Sequence, residues 1–145
     1  YYGTEVLMNG TKSVTDGNVR KDFPGGWADD KQNAFTAEGR TKAQNDMFSW
    51  TSRLLHWRQG NEVITKGTQT QFCSHKGIYV VARQYKGKSV MTVINGKNEA
   101  AELDVKRYAE IIGDAQKAVD VTTGRNVVIS HNVKMRPRQT MVLEF

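Results

Sequence analysis

From Thr68 to Phe145 the chain runs as short β-prone segments separated by turn residues, and this pattern limits its possible folds more than any other feature. Thr68 to Ser74 alternates in polarity, and Gly77 opens Ile78-Tyr79-Val80-Val81-Ala82-Arg83. Lys86-Gly87-Lys88 then connects to Ser89-Val90-Met91-Thr92-Val93-Ile94, the pattern of a hairpin. Ala100 to Val105 is a weaker strand, and Val119 to Thr122 leads through Thr123-Gly124-Arg125-Asn126 into Val127-Val128-Ile129. Thr140 to Phe145 is a last strand, and Val105 to Asp114 reads as an irregular turn or a short helical piece. Seven or eight such strands predict an antiparallel β-sandwich.

The first 60 residues follow other rules. Residues 1–41 are rich in Gly, Asn and Asp, with Asn9-Gly10, Asp16-Gly17 and Pro24-Gly25-Gly26, and carry little period of either kind. A loop of this length in a compact domain is usually functional or disordered. From Lys42 to Gln59 the period becomes helical: Met47, Trp50, Thr51, Leu54, Leu55 and Arg58 recur at spacings of three and four, and Gly60 supplies a stop. The stripe of Trp50, Leu54 and Trp57 is expected to be core. The domain reading is 1–60 and 61–145.

Composition removes several function classes. The net charge is +6, but Lys and Arg are spread singly from Lys12 to Arg138, with one short cluster at Lys134-Met135-Arg136-Pro137-Arg138. A nucleic-acid partner would call for a concentrated basic face, so none is expected. No apolar run approaches the ~20 residues of a membrane helix, and no membrane partner is expected. The single Cys73 excludes an internal disulfide; its place in an alternating segment predicts a small buried residue. His56, His75 and His131 share no ligand spacing, and Cys73 with His75 cannot complete a zinc site. Asn9-Gly10-Thr11 matches the glycosylation sequon, a pattern too short to carry weight.

Tyr1-Tyr2-Gly3-Thr4-Glu5 resembles the Tyr-Tyr-Gly-x-Glu motif that ends the eighth barrel strand of the α-amylase family, glycoside hydrolase family 13. Further matches follow in order: Asp16 and Arg20 four apart, Trp27, and a helix reading Phe48, Leu54-Leu55, Arg58. Asp120-Val121-Thr122-Thr123-Gly124 resembles the Asp-x-x-x-Gly turn of many members. The Asp-x-x-x-Arg loop is most similar to that of neopullulanases, cyclomaltodextrinases and maltogenic amylases, although Thr4 replaces their usual Asp and Gly17 their usual Pro. The resemblance implies a C-terminal fragment: residues 1–60 the remnant of a (β/α)8 barrel (last strand, substrate loop, last helix) and 61–145 an all-β domain. The parent implied is a retaining hydrolase of α-glucans such as starch, pullulan, cyclodextrins or maltooligosaccharides.

Retaining hydrolysis needs two carboxyl groups about 5–5.5 Å apart. The resemblance puts both, and a third acid, before Tyr1, so this chain is expected to hold no catalytic residue and to be inactive alone. Asp29 and Asp30 are adjacent loop acids, and Glu99 and Glu102 lie among the strands. The resemblance assigns substrate binding to Asp16 and Arg20. A carboxylate accepts and a guanidinium donates, so the two together satisfy a sugar hydroxyl; a salt bridge within the loop is the alternative. Glu5 reads as a structural acid, while Trp27 is open between sugar stacking and loop anchoring. No cofactor or metal site is expected here, and a calcium ion of the parent would find its ligands elsewhere. A starch-binding β-module is the competing reading and would need paired exposed aromatics, yet Tyr79, Tyr85 and Tyr108 are the only Tyr or Trp residues after the helix. Neither compartment nor oligomeric state is fixed by the sequence.

Overall fold

A computed structural model describes residues 2–145; Tyr1, the first residue of the Tyr-Tyr-Gly-x-Glu motif, lies outside the described residues. The chain divides into two compact units, Tyr1–His56 and Trp57–Phe145.

The second unit begins in the last turn of helix α1 (Lys42–Gly60) and continues through a short helix α2 (Glu62–Lys66). Asn61 caps α2, its side-chain oxygen accepting from the Val63 and Ile64 amides at 3.0 and 3.4 Å. Val63 and Ile64 are buried, and α2 packs on the strands β2 (Ile78–Tyr85) and β3 (Lys88–Asn95). Strands β1 (Thr68–Gln71), β4 (Ala101–Leu103), β5 (Lys117–Asp120), β6 (Arg125–Val128), β7 (Val133–Met135) and β8 (Thr140–Glu144) complete the set of eight among the described residues. They form a six-stranded antiparallel sheet in the order β1-β2-β3-β8-β5-β6 and a two-stranded sheet β4-β7.

The β2–β3 hairpin shows why the sequence folds this way. Lys86 and Gly87 have φ of 49° and 76°, the two positive values of a type I′ turn, whose twist matches that of the flanking strands. The register pairs Val80 with Val93 and Ala82 with Met91, all buried, so the period-2 pattern becomes one face of the core. Strand β8 lies between β3 and β5, and Met141, Val142 and Leu143 are all buried there. Residues of both sheets share this core with the helical piece that fills 105–112, a 3-10 turn (Val105–Tyr108) followed by α3 (Ala109–Ile112). Tyr108 is buried and meets Phe72 edge-on at 4.9 Å. The sandwich is therefore as expected, with eight strands and a helical insert. Cys73 differs: it is exposed, because Phe72 takes the inward position and alternation turns the next side chain outward.

Ahead of α1, the first unit is built from turns. Where the motif suggests the end of a barrel strand, Thr4–Val6 is a 3-10 turn, with Leu7 at φ 57°. A parallel strand needs a neighbour to satisfy its backbone, and here the amides of Val6 and Met8 bond locally to the Gly3 carbonyl instead. Helix α1 starts with a capping box: the Thr41 amide donates to the Gln44 side-chain oxygen at 2.8 Å, and the Gln44 amide to the Thr41 hydroxyl at 3.3 Å. The helix matches its expected span, but its stripe is not core. No residue of α1 is buried; Trp50 and Leu55 are exposed and Leu54 and Trp57 half-buried. Periodicity marks which face is apolar, and only a second layer can bury it.

Candidate functional site

Asp16 and Arg20 flank a single 3-10 turn, Gly17–Val19, so four residues of spacing become two side chains at the ends of one turn. Both are exposed. The Asp16 carboxylate lies 3.9 Å from the Lys12 ammonium in a solvent-exposed pair. Among the described residues the Arg20 guanidinium has no hydrogen-bond or ion-pair partner, so Asp16 and Arg20 do not form the salt bridge that was their alternative role. The base of this loop is pinched: the Thr11 amide donates to the Asn18 side-chain oxygen at 2.7 Å. A Cβ on Gly10 would lie 2.1 Å from the Asn18 carbonyl oxygen, so the two backbone segments touch.

The next turn presents Trp27, 65% exposed. Its indole N–H donates to Asp22 at 3.2 Å. Asp30 closes the same turn, accepting from the Gly25 and Trp27 amides at 2.7 and 3.1 Å. Asp30 is thus occupied as a turn-forming acceptor, which the sequence did not reveal beyond its position three residues after Trp27. Both readings of Trp27 have a structural counterpart, since its amide and indole nitrogens anchor the turn while its ring remains accessible.

Beside these turns lies an open depression of about 580 Å³, with Glu5, Asp22, Phe23, Phe35, Arg40 and Phe48 in its wall. Arg40 braces it, donating to the Ala34 and Phe35 carbonyls at 2.9 and 3.3 Å and to the Asn45 side chain at 2.8 Å. Its guanidinium carbon sits 4.1 Å from the Phe48 ring centroid, a cation–π contact. Glu5 accepts the Gly3 amide at 2.9 Å.

The acids of the second unit are also occupied. Glu99 lies 2.8 Å from Lys97, whose hydrogen bond and charge hold its carboxyl below the ordinary range. Glu102 accepts the Asn132 amide group at 2.8 Å. Asp120 is buried; its carboxylate accepts from the Thr122 amide and hydroxyl, the Thr123 hydroxyl and the Val142 amide. Its carbonyl accepts the Gly124 amide at 2.7 Å, and Gly124 takes φ 71°, which explains the spacing of the Asp-x-x-x-Gly turn. Glu144 accepts from the Trp57 indole at 3.3 Å and the Asn61 side chain at 2.8 Å. Among the described residues no three His, Cys, Asp or Glu side chains form a group fit for a metal ion, and no helix is long and apolar enough to cross a membrane. Of the three tyrosines after the helix, Tyr108 is buried and Tyr79 and Tyr85 are half-buried, so these three form no exposed pair.

Residues 69–144, more than half of the chain, match the family model of the cyclo-malto-dextrinase C-terminal domain. The chain belongs to that family. Solved α-amylases share the fold of this cyclo-malto-dextrinase C-terminal domain and of the segment before it. An α-amylase from Geobacillus thermoleovorans, complexed with acarbose, superposes with a TM-score of 0.67 at 18% identity, covering 99% of this chain and 28% of its own. An Anoxybacillus α-amylase gives 0.65 at 14% identity with the same coverages. AmyP in complex with maltose gives 0.59 at 17% identity, covering 72% of this chain. The chain spans about a fifth of AmyP's length, 21%. The α-amylase family read from the N-terminal motifs is therefore the family to which the fold and the matched domain point.

Proposed function

We propose that this chain is the C-terminal part of an α-glucan hydrolase of the neopullulanase, cyclomaltodextrinase and maltogenic amylase kind. On this reading residues 1–60 end its catalytic barrel, 61–145 form its C-terminal β-domain, and the retaining pair of carboxylates lies upstream. The observation that carries the proposal is the joint presence of the matched domain at 69–144 and, before it, a loop that presents Asp16 and Arg20 on one exposed turn. That the solved relatives include AmyP bound to maltose and to maltotriose supports a glucan as the ligand.

Asp16 and Arg20 bind, and perform no chemistry. The carboxylate accepts and the guanidinium donates, so a glucose unit is fixed through neighbouring hydroxyls, which orients the chain for attack elsewhere. A hydrogen bond to a charged group is worth about 1.5–3 kcal/mol, so Asp16→Ala or Arg20→Ala in the full-length enzyme should cost ~10–100-fold in kcat/KM, mostly through KM. Unchanged kinetics on maltooligosaccharides with both variants would remove the pair from the site. The 145-residue chain by itself should release no sugar from pullulan, cyclodextrin or starch; turnover by the pure chain would overturn the assignment. Calorimetry with maltoheptaose offers a second check, in which micromolar binding by the chain alone would point to a carbohydrate-binding module instead.

A further inference from the structure

The chain contains two Asn-Gly pairs, Asn9-Gly10 and Asn95-Gly96, and the structure places them in opposite circumstances. In such a pair the glycine amide nitrogen can attack the asparagine side-chain carbonyl carbon, because no Cβ on the glycine obstructs the approach. The new bond joins the glycine nitrogen to Cγ; the Cγ–Nδ2 bond breaks, and ammonia leaves with the proton given up by the glycine amide. Water then opens the cyclic imide at either carbonyl. One product is aspartate, and the other is isoaspartate, whose main chain runs through the former side chain.

At Asn95 every participant is held. The residue is 1% exposed, its Nδ2 donates to the Glu99 and Arg136 carbonyls at 2.9 Å each, and its Oδ1 accepts the Lys97 amide at 3.0 Å. The attacking nitrogen is engaged too, since the Gly96 amide donates to the Gly77 carbonyl at 2.9 Å. At Asn9 both residues are exposed, and among the described residues the Gly10 amide has no acceptor. Nor can the loop avoid glycine at position 10, because any Cβ would meet the Asn18 carbonyl oxygen.

We infer that Asn9-Gly10 is a site of spontaneous deamidation in the native protein, and that its isoaspartyl product loosens the turn bearing Asp16 and Arg20. Isoaspartate lengthens the main chain by one methylene next to the point where Gly10 touches Asn18 and Thr11 donates to it. The modification itself stands on geometry alone; its effect on substrate rests on the binding role proposed for Asp16 and Arg20.

The test is peptide mapping by mass spectrometry of the full-length protein, aged at mildly alkaline pH, with isoaspartate separated from aspartate by chromatography. Asn9 should convert more than about tenfold faster than Asn95, whose reaction waits for the end of β3 to open. KM for maltooligosaccharides should rise with the isoaspartyl fraction, and Asn9→Ser, which cannot react, should keep its unaged KM. Equal rates at the two sites, or an unreacted Asn9, would overturn the modification site. Conversion of Asn9 with a flat KM, in an enzyme whose KM does respond to Asp16→Ala, would overturn the coupling to the turn. If Asp16→Ala itself has no effect, the binding role fails while the modification stands.

Discussion

The two units of this chain differ in what holds them. Trp57–Phe145 has a continuous apolar core drawn from both sheets and the helical insert, with Met91, Val93, Leu103, Ile129 and Leu143 wholly buried. In the described part of Tyr1–His56 the buried hydrophobic residues are Val6 and Ala34, while Trp27 and Phe35 stand 65% and 63% exposed. Its order comes from polar groups that tie turns together, among them Arg40, Asp30, Asn18 and Gln32. A buried aliphatic side chain contributes about 1.5–3 kcal/mol, whereas a typical net hydrogen bond contributes about 0.5–1.5 kcal/mol. The lesson is that burial fixes the β-domain, and polar bracing fixes the shape of the loop that presents the candidate site.

The strongest way to break this contrast is a matched pair of truncations. Leu143→Ala, in the middle of the central strand, should lower stability by ~2–5 kcal/mol in urea unfolding. Phe35→Ala, equally apolar but exposed, should stay within about 0.5 kcal/mol of the parent. Similar losses from the two would show that the first unit has a core of its own. A smaller effect sharpens the role of polar groups inside the packed unit. Asp120→Ala leaves the buried Val142 amide and the Thr122 and Thr123 donors without their acceptor, and should cost ~1–3 kcal/mol in the same assay. A neutral result would mean that the turn closes through its backbone alone.

The smallest effect is a pH dependence. Burial raises the Tyr108 phenol above its ordinary value of 10.0, with the neighbouring Arg107 opposing the shift. The folded state therefore keeps this proton more firmly than the unfolded state does. Stability from this group is complete below pH 10.0 and is lost as pH rises from there through the folded value. Thermal melts across that alkaline window should show a decline that Tyr108→Phe reduces; an identical decline in the variant would place its origin in other groups.

Much of the β-domain was legible because its signals are local. Lys86-Gly87 specifies its turn through backbone sterics, and the alternation in Ile78–Ala82 specifies which side chains share a face. The three- and four-residue spacing from Met47 to Arg58, with Gly60 as the stop, marked the long helix in the same way. Other features were not legible, because they depend on what stands opposite. Whether Trp50 and Leu54 are covered depends on a second layer, and whether residues 2–6 extend depends on neighbouring strands. Phe72 and Cys73 compete for one inward position, which composition alone did not decide. In the candidate site, the spacing of Asp16 and Arg20 could be read directly, whereas the pinch of Gly10 against Asn18 could not.

The sequence by itself marked most of the strands and their turns and the limits of α1, but not β7 or α2, and its N-terminal motifs resembled the α-amylase family to which the matched domain also points. The strands, turns and helix limits follow from steric and hydrogen-bonding preferences that act over a few residues, whereas the family rests on the resemblance of motifs. Only the tertiary structure decided which polar groups were already engaged. Glu144 holds Asn61 from 83 residues away, and Asn95 reaches the Arg136 carbonyl across 41. A carboxylate or amide shows its type in the sequence, but its partner is set by where the folded chain returns. That is why Asp120, Glu144 and Asn95 proved to be structural, while Asp16 and Arg20 remain exposed on their turn.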